Sequence, residues 1–132
     1  MKKIIIASIL FLAISSLQAQ IRIQDVTGNW KIKSYTKNGV GQNIENTYFR
    51  YFESDIGDPI LEQVFTNNGK ERCAATCMIS IKGNKVFHNY LMSSIEDDPT
   101  CSFWIPGEFT YELKNGILKI SDKEITMELQ RK

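Results

Sequence analysis

Cys73, Cys77, Cys101 and His88 carry the most reactive side chains of this chain, and their spacing narrows what they can do. Three cysteines are an odd number, so one internal bridge leaves a thiol over. In an extended segment Cys73 and Cys77 stand about 13 Å apart at about 3.3 Å per residue, beyond the roughly 7 Å a disulfide spans, and either then pairs with Cys101. In a helical turn positions i and i+4 meet, which would bring Cys73 and Cys77 together. A Cys-x3-Cys pair with the chain's single histidine falls short of the four ligands zinc wants, so no metal is expected.

Catalysis needs a nucleophile beside a base, a base held by a carboxylate, or paired carboxylates on a rigid wall, and no such spacing is visible. His88 lies between Phe87 and Asn89 and reads as a polar residue on a strand. Glu96-Asp97-Asp98 lacks the alternating ligands and the glycine of a calcium loop and reads as a solvated acidic turn. With no phosphate-cradling glycine loop and no dinucleotide fingerprint, the chain is expected to be a non-enzyme without a cofactor.

The elements that must position these residues are strands. Asn38-Gly39, Asn68-Gly69, Gly83-Asn84 and Asn115-Gly116 punctuate the sequence, each followed by a β-type run. The runs predict strands over 28–37, 47–53, 60–66, 71–82, 85–95, 107–114, 117–121 and 124–131, with no helix. The segment 44–56 also fits a helical stripe through Ile44, Tyr48, Phe52 and Ile56. In the first strand Trp30, Ile32 and Ser34 share one face, and Lys31, Lys33, Lys37 and Tyr35 the other. In the last, Ile125, Met127 and Leu129 share a face, and Arg131 falls in phase with them. A guanidinium at the edge of a core needs a ring to stack on, and Trp30 is the candidate. Tyr48, Phe49, Tyr51 and Phe52 place rings on both faces of one segment, and Phe103-Trp104-Ile105 is either a loop tip or the start of the next strand. Long loops are expected over 38–46 and 96–106, where binding usually sits. Eight antiparallel strands can close into an up-and-down barrel without exposed edges, filled by its own side chains or by one small ligand.

Lys2 and Lys3 precede an apolar run from Ile4 to Leu17 that ends in Gln18-Ala19, the layout of a secretory signal peptide cut after Ala19. The run is shorter than the roughly 18 to 20 apolar residues of a spanning helix, and no lipidated cysteine motif follows it. Residues 20–132 then form one domain, secreted or periplasmic, in an oxidising space where disulfides persist. The formal charge is +1 for the whole chain and becomes −1 once Lys2 and Lys3 are removed, with no basic run to attract nucleic acid or an anionic membrane.

Gly28-x-Trp30 at the start of the first strand and Arg131 at the end of the last resemble the lipocalin and lipocalin-like signature, in short bacterial form, although no Thr-Asp-Tyr-type second motif is present. The resemblance implies a calycin-type barrel whose floor Trp30 closes and Arg131 covers, with Gly28, Trp30 and Arg131 structural. It further implies a protein that binds a small hydrophobic or amphipathic molecule. Trp30, Ile32, Phe65, Ile79, Ile81, Met127 and Leu129 are the candidate lining, each sharing a face with a core-directed pattern. The alternative is a loop-mediated inhibitor or interaction protein acting on a macromolecular partner. Asp97-Asp98-Pro99-Thr100-Cys101, tied by a disulfide, would be its loop.

Overall fold

A computed structural model describes residues 20–93 and 106–132. The chain opens with a one-turn helix, α1 (Ile23–Val26), followed by β1 (Gly28–Lys37), β2 (Val40–Gly41), β3 (Thr47–Glu53), β4 (Pro59–Asn67) and β5 (Lys70–Lys82). Then come β6 (Lys85–Ser93), β7 (Gly107–Lys114), β8 (Ile117–Ser121) and β9 (Ile125–Arg131). The strands pair antiparallel in the order β2-β1-β3-β4-β5-β6-β7-β8-β9, and β1 also pairs with β9. The sheet therefore closes into an eight-stranded barrel, with β2 a two-residue flap on β1.

The turns show why the strands begin and end where they do. Asn38 and Gly39 have φ of 52° and 78°, Asn68 and Gly69 53° and 76°, Asn115 and Gly116 54° and 78°. Two consecutive left-handed residues are what a tight hairpin between right-twisted strands demands, and Asn-Gly supplies them at least steric cost. Residues 47–53 are strand rather than helix. Phe49 and Tyr51 turn into the core while Tyr48 and Phe52 lie on the other face, so the segment's aromatic rings serve both sides of the wall.

Three expectations change, the first being that the segment 38–46, expected as a long loop, carries the short strand β2 paired with β1. α1 departs from the expected absence of helix; its single turn is too short for an apolar period, yet Ile23 and Val26 are buried and the N–H of Arg22, the cap residue before it, donates to Asp25 Oδ2 at 3.0 Å. In β1, Ile32 pairs with Leu129 and Ser34 with Glu128, so Lys33 is an extra residue, a bulge. Beyond it the faces exchange. Tyr35 packs against the core while Ser34 is exposed, the reverse of strict alternation.

Candidate functional site

One end of the barrel is closed by described residues. Trp30 is fully buried there and donates Nε1–H to the Val26 carbonyl at 2.8 Å, which fastens α1 across the opening. The Arg131 guanidinium carbon lies 4.3 Å from the Trp30 ring centroid, and its Nη1 and Nη2 donate to the carbonyls of Thr27 at 2.8 Å and Asp25 at 3.0 Å. The stacking satisfies a cation beside apolar surface, and the two hydrogen bonds fix its orientation. Gly28 is needed between them. Its φ is +126°, and a Cβ built there would come within 3.0 Å of Arg131 Nη1. Ile21 N–H donates to the Gly83 carbonyl at 2.9 Å and ties the entering chain to the β5–β6 turn.

Inside, cross-strand partners share a face, so each rung of the wall can be read from the pairing. Tyr51, Leu61 and Cys77 form one rung, Phe49, Gln63 and Ala75 the next, and Thr47, Phe65 and Cys73 the one nearest the mouth. The lower rungs meet a buried polar chain. Tyr51 and Tyr111 hydroxyls are 2.7 Å apart, and His88 Nε2 lies 2.6 Å from the Tyr111 hydroxyl. Phe109 covers the imidazole with ring centroids 4.9 Å apart. Buried hydroxyls are costly without partners, and here each serves the next. Burial pushes Tyr51 and Tyr111 well above the ordinary tyrosine range, in Tyr111 with the hydroxyl of Tyr51 adding to the effect.

The candidate lining divides between the two halves of the interior. Trp30, Ile79, Ile81 and Leu129 belong to the floor and lower wall, where Trp30 and Leu129 are fully buried and Ile79 pairs with His88. Met127 pairs with Tyr35, higher in the barrel. Ile32 and Phe65 are half-buried toward the mouth. Tyr35, Gln63, Tyr51, Tyr111 and His88 were not in the candidate lining. His88 is 2% exposed while its neighbour Phe87 is 43% exposed, so the imidazole faces in and the phenyl ring out. The available signal was Val86 two positions before His88, which fixes the phase of β6 against the pull of the larger side chain.

Cys73 and Cys77 lie in β5, extended, which removes the helical-turn route between them. Cys77 is a free, buried thiol, so of the three cysteines considered for a bridge it is not a partner. Burial pushes it up to about 12. Cys101 and the rest of the Asp97–Cys101 loop considered for an inhibitory role lie outside the described residues. Among the described residues no group of three His, Cys, Asp or Glu side chains is placed to hold a metal ion. No helix among them is long and apolar enough to cross a membrane.

No family model and no curated protein matches the chain. Among solved structures, the crystal structure of a lipocalin-like protein from Bacteroides uniformis is similar, with a TM-score of 0.55 at 16% sequence identity. The match covers 82% of this chain and 99% of the other. The fold is therefore that of a lipocalin-like barrel, as Gly28-x-Trp30 and Arg131 implied.

Proposed function

We propose that this protein binds a small hydrophobic or amphipathic molecule in the mouth-side half of its barrel and works outside the cytoplasm. One observation carries the reading: the two ends of the barrel are built differently. At the floor, α1, Trp30 and Arg131 seal the interior. At the mouth, Ile32, Tyr35 and Ile125 pack against the core and Phe65 shares the inward rung of Cys73, and all four are only half-buried. Apolar side chains that face inward yet keep contact with solvent are those a ligand would cover, and covering them is what drives its binding. Cys73 and Ala75 are inward residues on the β5 wall at the same level.

Residues 1–19, with Lys2-Lys3, the run Ile4 to Leu17 and the exit at Ala19, are read as a cleaved signal peptide. An oxidising destination suits a bridge between Cys73 and Cys101, since Cys77 is the free thiol among the described residues. Peptide mapping without reduction tests that bridge directly. The binding reading is tested by native mass spectrometry of the protein isolated gently from the secreted or periplasmic fraction of its host. A small-molecule adduct released on denaturation is the expected result; a bare chain that also takes up no added dodecanol overturns the reading.

A further inference from the structure

The barrel wall is not continuous all the way up. β1 pairs with β3 only from Gly28 to Lys31, ending at the rung Lys31–Tyr48, and its next partners on that side are Gln42, whose N–H donates to the Tyr35 carbonyl at 2.7 Å, and the flap β2. Among the described residues, no strand pairs with that edge of β1 between Ile32 and Ser34. A cleft of about 410 Å³ occupies the gap, within the range of sites that hold small molecules. Its far lip is the segment Ile44 to Thr47, held to β4 by Thr66 N–H donating to the Asn46 carbonyl at 2.7 Å.

The lining joins the two sides of the wall. Ile32 and Thr47 belong to inward-facing positions, the latter in the rung of Phe65 and Cys73. Lys31, Tyr48 and Lys132 belong to the outer face, with Lys132 Nζ 4.0 Å from the centroid of the Tyr48 ring. Neighbouring charge is already spoken for: Arg50 is bridged to Glu62 at 3.1 Å and Glu71 at 2.9 Å, and Tyr48 donates its hydroxyl to Glu71. Lys31 and Lys132 make no ion pair among the described residues, although Lys132 adds, behind Tyr48 and Arg50, to the charges that hold Glu71 below its ordinary value, and Glu45 is the one carboxylate side chain of the lining. The cleft thus offers two ammonium groups outside, apolar surface from Ile32 and Ile44 at its throat, and the inward-facing positions of Ile32 and Thr47 behind.

We infer that this cleft is a side entrance for an amphipathic anion, whose headgroup rests between Lys31 and Lys132 while its apolar tail passes Ile32 and Thr47 into the barrel. The inference rests on the binding function proposed above and names the ligand's chemical class and its route. A headgroup at the outer face keeps its charge hydrated while two cations hold it, and only the tail is desolvated, which avoids burying an ion.

The test uses isothermal titration of the full mature protein with dodecanoate and, in parallel, with uncharged dodecanol. Replacing both lysines, Lys31→Gln with Lys132→Gln, is expected to weaken dodecanoate roughly tenfold or more and to leave dodecanol unchanged, because only the charged headgroup loses its partners. Ile44→Trp, which fills the throat from a surface lip, is expected to weaken both probes without lowering the melting temperature. If the doubly substituted protein holds dodecanoate as tightly as the native one, or Ile44→Trp leaves both affinities intact, the side entrance is wrong while binding inside the barrel stands. If neither probe binds the native protein, both inferences fall.

Discussion

The hydroxyls of Tyr51 and Tyr111, sixty positions apart in the chain, meet at 2.7 Å inside the barrel, and Tyr111 alone of the two also reaches His88. Tyr111 is the centre of that chain and Tyr51 its end.

Their unequal positions predict unequal costs. Tyr111→Phe strips a hydroxyl from two buried partners at once, at about 1 to 3 kcal/mol for each group left without it, whereas Tyr51→Phe affects Tyr111 alone. Urea denaturation should place Tyr111→Phe well below Tyr51→Phe in stability. Equal losses would mean that the chain does not act as a connected unit.

Arg131→Ala should cost about 1 to 3 kcal/mol through the lost stacking and hydrogen bonds, and Arg131→Lys should rescue little, since an ammonium cannot reproduce the planar fork that reaches both Thr27 and Asp25. Gly28→Ala should also destabilise, by about 1 kcal/mol or more, from its left-handed backbone and from contact with Arg131. In the double variant the contact part vanishes and the backbone part stays, so the two losses should sum to more than the combined loss. Thermal melts of the four proteins decide it.

Ile79 is 2% exposed and pairs with His88 beneath Phe109. Ile79→Trp should therefore strain a filled region and destabilise by about 1 to 3 kcal/mol. Ile32→Trp, near the mouth, should instead leave stability close to native and abolish uptake of dodecanol. If Ile79→Trp keeps full stability and full binding, its side chain is not in the core.

Alkali should unfold the protein in stages. Burial raises the Cys77 thiol from 9.0 to about 12, and burial together with the hydrogen bond to Glu71 raises Tyr48 from 10.0 to about 12. Tyr51 and Tyr111 are raised as well, by burial first. A group that stays protonated when folded and ionises when unfolded makes the unfolded state bind fewer protons, so stability is complete below pH 9 and falls as pH climbs toward 12. Cys77→Ala should remove the earliest part of that fall. Followed by ultraviolet absorbance, Tyr51 and Tyr111 should ionise only together with unfolding.

Most of the strand boundaries could be read from the chain because they are set by neighbours in sequence. Asn38-Gly39, Asn68-Gly69 and Asn115-Gly116 force tight turns by their own backbone preferences, and Gly28, Trp30 and Arg131 keep a spacing that marks the floor. What escaped depends on partners far away. The bulge at Lys33 exists because Ile32 and Ser34 must match Leu129 and Glu128, residues nearly a full chain length distant, and no local pattern announces it. Likewise, His88 turns inward because Tyr111 awaits it there, and Phe87 is left outside although its ring is the more apolar. The interior polar chain was hidden for the same reason: Tyr51, His88 and Tyr111 lie on three separate strands, and only closure gathers them.

Closure itself hangs on the rungs between β1 and β9, from Trp30 with Arg131 to Lys37 with Ile125. The strand made first must therefore wait for the strand made last, and the entropy of closing so long a loop is met only at the end of folding. Until that moment one side of β1 stands open along its length, a template for any other extended chain. The order of assembly, as much as the finished barrel, makes an unaccompanied partly folded chain the vulnerable state of this protein, and any factor that shields the nascent β1 would act on its yield rather than on its final stability.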